Sequence, residues 1–244
     1  VNMKMNRFQA SALHLFGSAC FLAVFFLMVS QVWYPGKLFS AAAGVELLRL
    51  LICVDLIIGP LVTLIIFNPQ KKKLKQDLII VVLCQLGFLF YGVWSIYTVR
   101  PVYIAFAENK FYMVRANEID ATDQAKVTDT HFKSLPVFGP EYVGTQEPTD
   151  PKIKNDIVFS SLAGMGIQNL PQYFVPLNKI QQQIKAAAKT SQEWKTIDAE
   201  TKQRLKSYER ENAGTSVSFI ALINKRIALF VVINAQTGEI IGII

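Results

Sequence analysis

Asp55-Leu-Ile-Ile-Gly-Pro-Leu-Val-Thr-Leu-Ile-Ile-Phe-Asn-Pro-Gln-Lys-Lys-Lys-Leu-Lys-Gln-Asp77 decides how this chain is organised. The stretch starts with a carboxylate inside an apolar run and passes Gly59-Pro60. It leaves the run at Asn68-Pro69 and ends in Lys71, Lys72, Lys73 and Lys75. An apolar run closed by a lysine cluster reads as a membrane span with its cytoplasmic end marked, because cytoplasmic loops carry an excess of Lys and Arg. Asp55 is then an ionisable group within a span. Such a group costs about 3 kcal/mol on insertion scales, so it faces a bundle interior or a partner.

Two further apolar runs flank this one, and each reaches the roughly 20 residues needed to cross a bilayer. The chain has 244 residues, 52% of them hydrophobic, and the long apolar runs all lie in the first hundred positions. The expected architecture is therefore a three-helix transmembrane domain over 1–99, with spans at about 13–34, 45–67 and 78–99, and an extramembrane domain over 100–244. The first run follows the basic residues Lys4 and Arg7 and precedes Ser40-Ala41-Ala42-Ala43, where a signal peptidase would find small residues. Its apolar core exceeds the roughly 7–15 residues of a signal peptide, so an uncleaved span is expected.

Trp33-Tyr-Pro-Gly36 marks a boundary, with aromatic rings at headgroup level and a Pro-Gly turn that stops the helix. Lys37-Leu-Phe39 continues it as a short interfacial piece. Four lysines between the second and third spans, against Lys37 alone between the first and second, put the N-terminus and the 68–77 loop in the cytoplasm. Everything after Arg100 then lies on the other side. In a bacterial inner membrane that is the periplasm, and the protein is multi-pass.

The formal charge of +7 comes from 25 basic against 18 acidic residues and sits mostly in the lysine cluster. That placement serves topology and argues against nucleic acid as a partner; membrane lipids are the expected contact. Cys20, Cys53 and Cys84 all lie in apolar runs, so the outer domain has no disulfide and no cysteine-based metal site. With His14 and His131 as the only histidines, neither a zinc site nor a cofactor is expected.

In the outer domain, 102–107 and 111–115 read as strands joined by a tight hairpin at Glu108-Asn109-Lys110. Leu135-Pro-Val-Phe-Gly-Pro140 and Glu147-Pro-Thr-Asp-Pro151 read as ordered loops. Asp150-Pro151 is an N-cap with proline at the first helical position. Helices are expected over 177–189 and 199–212. Strands are expected over 216–223, 226–234 and 239–243, with turns at Asn224-Lys225 and 235–238. The predicted class is α+β with a mainly antiparallel sheet, its first and last strands in one sheet.

Candidate functional residues centre on Asp55. At 1.5 Å per residue it lies roughly 18 Å from the cytoplasmic end of its helix. Tyr91 falls at nearly the same depth, and Gln85 lies lower. Gly59, one turn from Asp55, permits close helix approach, and Pro60 should bend the span. Asp55, Gly59, Pro60, Gln85 and Tyr91 are therefore the candidate partner-docking set; packing within the bundle is the alternative for Asp55. Glu46 and Arg49 share a helix face near the outer boundary, about level with Gln31 and Trp94, and are expected to pair.

No catalytic constellation is present. Ser160-Ser161 beside Gly164-Met165-Gly166 lacks the order of a nucleophile elbow, and no phosphate loop, dinucleotide fingerprint or zinc-protease motif exists. Asp55 and Glu46 are nine residues apart, about 180° around a helix, so they cannot form one catalytic pair. An enzyme is not expected. A membrane-anchored periplasmic ligand sensor and a lipid-active membrane enzyme are the competing readings.

Trp33-Tyr-Pro-Gly-x-Leu-Phe39, Asp55-x-x-x-Gly-Pro-Leu-x-Thr-Leu64 and Phe67-Asn-Pro-x-Lys-Lys-x-Leu-Lys75 resemble the type IV pilin accessory proteins (the TfpX/TfpZ, FimB-like family). Gln85-Leu86, Tyr91-Gly92, Arg100-Pro-Val-Tyr103, Leu135-Pro-x-x-Gly-Pro140, Leu170-Pro-x-Tyr173, Pro176-Leu177 and Thr237-Gly-Glu239 fit the same pattern in order. The match runs from Trp33 to the C-terminus and is looser over 117–133 and in the helices after Lys179. The resemblance implies an inner-membrane, chaperone-like accessory factor of fimbrial biogenesis. Its partner would be a major type IV pilin, whose stability or assembly into pili it assists, and no enzymatic activity is implied. The bundle would hold the pilin's transmembrane helix while the Pro-rich loops and sheet meet its globular head. Pilins resemble one another in having a carboxylate near the cytoplasmic side. Arg49 is a poor partner for it, being roughly 27 Å away along the helix.

Overall fold

The computed structural model describes residues 5–41, 44–162, 164–224 and 227–244. The basic residue Lys4, the small residues Ala42 and Ala43, and the expected turn residue Lys225 lie outside them. The described chain forms two compact units, one from 5–32 and 44–99, the other from 33–41 and 100–244.

The helical unit begins with α1 (Arg7–Met28), whose start is set by Asn6. The Asn6 side chain accepts from the Gln9 amide at 2.9 Å and the Gln9 side chain accepts from the Asn6 amide at 3.0 Å. This reciprocal cap starts the helix several residues before the expected position 13. A short α2 (Leu38–Ala41) belongs to the second unit. Next come α3 (Gly44–Cys53), a π-helical turn (Val54–Ile58), α4 (Gly59–Ile66) and α5 (Leu74–Thr98). Among the described residues three helical stretches, Arg7–Trp33, Val45–Ile66 and Leu74–Thr98, are long and apolar enough to cross a membrane. Much of their apolar surface faces outward, including Phe16, Ile65 and Phe90. In the middle stretch Pro60 shows itself as the widened turn before it: the Gly59 amide bonds to the Val54 carbonyl, five residues back.

The described residues of the second unit form one seven-stranded sheet in the order β4-β3-β1-β2-β5-β6-β7. The strands are β1 (Pro101–Ala107), β2 (Lys110–Arg115), β3 (Glu141–Thr145), β4 (Phe174–Val175), β5 (Val217–Ile223), β6 (Leu229–Asn234) and β7 (Ile240–Ile243). β1 and β2 form the expected hairpin, and its turn residues Glu108 and Asn109 both have positive φ, as a two-residue primed turn requires. The sheet is mixed, which corrects the mainly antiparallel expectation. β3 runs parallel to β1 and β5 parallel to β2. Each of these strands arrives after a long connection, and a parallel neighbour needs such a crossover.

Alternate residues of the central strands feed opposite faces. Ile104, Phe106, Phe111, Met113, Ile220 and Val231 pack under Ile180 and Ile184 and under Leu38 and Ala41 of α2. The other face splits into two clusters. At the β1–β3 side, Tyr103, Ala105 and Val114 meet Val127 and Phe132, next to the short α6 (Ala121–Gln124). At the β5–β6 side, Phe219 and Phe230 meet Leu205. Three longer helices complete the unit: α7 (Pro151–Leu162), α8 (Gln181–Ala187) and α9 (Ala199–Glu211). Asp150 caps α7 by accepting from the Lys152 amide at 2.8 Å.

The stretch 33–41 is thus no mere interhelical turn: Tyr34, Leu38 and Ala41 are buried. Leu38→Ala should destabilise the sheet unit by about 2–5 kcal/mol, the usual loss for deleting a buried leucine side chain. Chemical unfolding of the detergent-solubilised chain measures this, with exposed Lys37→Ala expected within about 0.5 kcal/mol of wild type.

Candidate functional site

The helical unit places Asp55 inward on the π-helical turn, where only 5% of its surface is exposed. Around it converge side chains from all three long stretches. Asp55, His14, Thr63 and Gln85 line one groove of about 470 Å³, whose walls are apolar residues of α1 and α5. A Cβ on Gly59 would overlap the Gln85 Nε2 and come within 3.2 Å of the His14 Nε2, so a larger residue there would displace the Gln85 amide and crowd the His14 ring.

Hydrogen bonds tie α1 to α4 beside this groove. The Ser11 hydroxyl donates to the Pro60 carbonyl at 2.8 Å. The His14 Nδ1 lies 2.8 Å from the Thr63 Oγ1, and that hydroxyl donates to the Gly59 carbonyl at 3.0 Å. Because the Thr63 proton is already committed, Thr63 accepts and His14 Nδ1 carries the hydrogen. The remaining ring nitrogen, Nε2, is the one nearest Gly59. Two buried polar atoms of the cluster, Asp55 Oδ2 and Gln85 Nε2, have no hydrogen-bond partner among the described residues.

The candidate set is therefore only partly brought together. Asp55, Gly59 and Gln85 meet, and Pro60 is buried with its carbonyl used by Ser11. Tyr91 stands apart, 67% exposed and absent from the groove lining. The expected Glu46–Arg49 pair is not formed: both side chains are exposed, and Arg49 makes no ion pair among the described residues. An exposed pair gains about 0–1 kcal/mol, too little to hold two long side chains in one geometry. Lys71, Lys72, Lys73 and Lys75 are all exposed, and Lys71 pairs with Asp77. The residues that sequence reasoning missed are His14 and Thr63. Their signal was Ser11 and His14, three apart on one face of an apolar helix.

The sheet unit has a second feature. Trp33 Nε1 donates to the Val137 carbonyl at 3.1 Å, and the buried Arg100 donates to the Pro136 carbonyl at 3.0 Å. Two donors far apart in sequence thereby hold adjacent carbonyls of the 135–140 loop. Gly139 takes a φ of +87° there, and Phe138 projects with 88% of its surface exposed. Tyr34 is buried beside the charges of Arg115 and Arg100; burial pushes its hydroxyl well above the ordinary tyrosine pKa, so it stays neutral. Beyond the hairpin turn, a groove of about 710 Å³ runs from Glu108 and Asn109 to Lys154 and Val158 of α7. No residue of α7 is buried among those described, and Phe159 and Leu162 are 72% and 82% exposed.

Known proteins are similar to this chain in sequence, two of them over lengths that must include parts of both units. A fimbrial assembly protein of serogroup I from Dichelobacter nodosus is 26% identical over 203 residues, covering 82% of this chain and 78% of that protein. The serogroup E1 protein of the same organism is 26% identical over 184 residues, 74% of this chain and 71% of that protein. The protein of serogroups C1 and C2 is 30% identical over 114 residues, which is 46% of this chain and 86% of that protein. No family model matches, and no solved structure does. The chain belongs to the fimbrial assembly proteins, the type IV pilin accessory family that its motifs resemble.

The bonds that join α1 to α4 carry a measurable consequence. A double-mutant cycle of His14→Ala and Thr63→Ala, read as unfolding free energy in bicelles, should give a coupling of about 0.5–1.5 kcal/mol. A coupling indistinguishable from zero would show that the bond does not hold the helices together.

Proposed function

We propose that this protein is an inner-membrane accessory factor of pilus biogenesis that binds a cognate type IV major pilin and assists its stability or assembly. The observation that carries the reading is the likeness to fimbrial assembly proteins, which at 203 aligned residues must include parts of both units. A role in pilus biogenesis follows directly from that likeness; pilin as the bound client is the finer step. Three apolar stretches and a sheet unit suit a client that is itself part membrane helix and part extramembrane head. The lysines after the second stretch orient the protein with the 68–77 loop in the cytoplasm and the sheet unit in the periplasm.

The protein acts by binding rather than by catalysis. Asp55 is buried and Glu46 exposed, so the two acids do not form a common centre. Phe138, held outward on a pinned loop, is the natural contact to a pilin head, because a rigid exposed aromatic loses little conformational freedom on binding.

Deleting the gene in its own host tests the reading. Surface pili and the level of the cognate pilin should both fall and return on complementation, while a foreign pilin expressed in the same strain is spared. Unchanged pilin level and piliation in the deletion strain would sink the proposal.

A further inference from the structure

We propose that the groove between α1 and α5 seats one further membrane-spanning helix. That helix presents, level with Asp55 and Gln85, a side chain that both donates and accepts a hydrogen bond. The identity of the occupant as the pilin helix rests on the function proposed above; the place and chemistry of the seat do not.

Three observations converge on this groove. First, α1 packs on α4, and α5 packs on α3 and α4, so the middle stretch forms the floor and the other two form the walls. Second, the walls are apolar: Leu13 and Phe21 on α1 face Val82, Leu86 and Leu89 on α5. Gly17 on the α1 wall stands open, since a Cβ there would meet no heavy atom within 4 Å. A side chain placed there therefore reaches into the groove without displacing the bundle. Third, the floor holds two buried polar atoms that have no partner among the described residues, Asp55 Oδ2 and Gln85 Nε2.

These features select the occupant by its chemistry. Lipid acyl chains suit the walls but leave both polar atoms unsatisfied, which is costly in hydrocarbon. Water suits the floor but not an apolar, laterally open groove. A helix carrying one polar side chain in an apolar stretch satisfies both. The carboxyl oxygen needs a donor and the Gln85 amide needs an acceptor, so a hydroxyl or a side-chain amide on the incoming helix serves the two together. His14 does not compete for this role through Nδ1, which is committed to Thr63.

The test uses the full-length protein in membranes of cells that make the cognate pilin. A photo-crosslinking residue is placed at Gly17, at Val82, or at Ile65, the last being 74% exposed and outside the groove. Pilin adducts are expected from positions 17 and 82 and not from 65. In Asp55→Leu they should fall about five- to thirty-fold, while Asp55→Asn, which keeps the hydrogen-bonding capacity, should retain them. Gln85→Leu should act like Asp55→Leu and carries the comparison where the latter fails to accumulate. Pilin adducts from position 65 as strong as those from 17 and 82 overturn the groove and leave the pilin reading standing. Adducts only with lipid or with a second copy of this chain overturn the proposal, as does an undiminished yield in both leucine variants. Absence of pilin adducts from all three positions overturns the pilin reading itself.

Discussion

Pro60 cannot donate a backbone hydrogen bond, and its ring collides with a helical carbonyl four residues earlier. The helical unit is arranged around that constraint. The chain widens into a π-helical turn over Val54–Ile58, and the Gly59 amide reaches back to Val54. Asp55 lies on this turn and is buried. The carbonyls of Gly59 and Pro60 then take additional donors, from Thr63 and Ser11, and Thr63 in turn accepts from His14. One imino acid thus links an irregular turn, an inward carboxyl group and the joint between two helices. Gly59 completes the arrangement, because any larger residue would push Gln85 away.

In the sheet unit the equivalent constraint is a loop rich in prolines that cannot form a ladder of its own. Trp33, at the end of the first apolar stretch, and Arg100, just after the third, supply the donors that its carbonyls lack. Several stretches that carry the family resemblance meet here: Trp33-Tyr-Pro-Gly, Arg100-Pro-Val-Tyr and Leu135-Pro-x-x-Gly-Pro140. Their common role in this unit is packing and loop fixation. Phe138 occupies an unspecified position of its motif and is the residue left facing outward.

The sequence was legible where the signal is local. Long apolar runs, the Asp150-Pro151 cap and the Glu108-Asn109 turn each depend on neighbouring residues, and each appears in the structure. Two features were not legible for a physical reason. Trp33-Tyr-Pro-Gly36 reads locally as a boundary turn, yet the burial of Tyr34 and Leu38 depends on strands that begin more than sixty residues later. The parallel pairings of β1 with β3 and β2 with β5 join segments separated by long connections, whereas strand alternation within each segment says nothing of its neighbour. In the candidate site, Asp55 stood out because a carboxylate is rare in an apolar run. His14 was visible as a residue but not as a partner, since a bond across 49 positions leaves no periodic trace in the chain.

The proposed recognition of pilin rests on the polar floor of the helical unit. Its most direct measurement is the equilibrium affinity of cognate pilin for the full-length protein in lipid nanodiscs, wild type against Asp55→Leu, with folding checked by unfolding midpoint. Dissociation should become about tenfold easier in the variant, the loss expected for one or two hydrogen bonds within a bilayer. Equal affinity for the two well-folded proteins would contradict it.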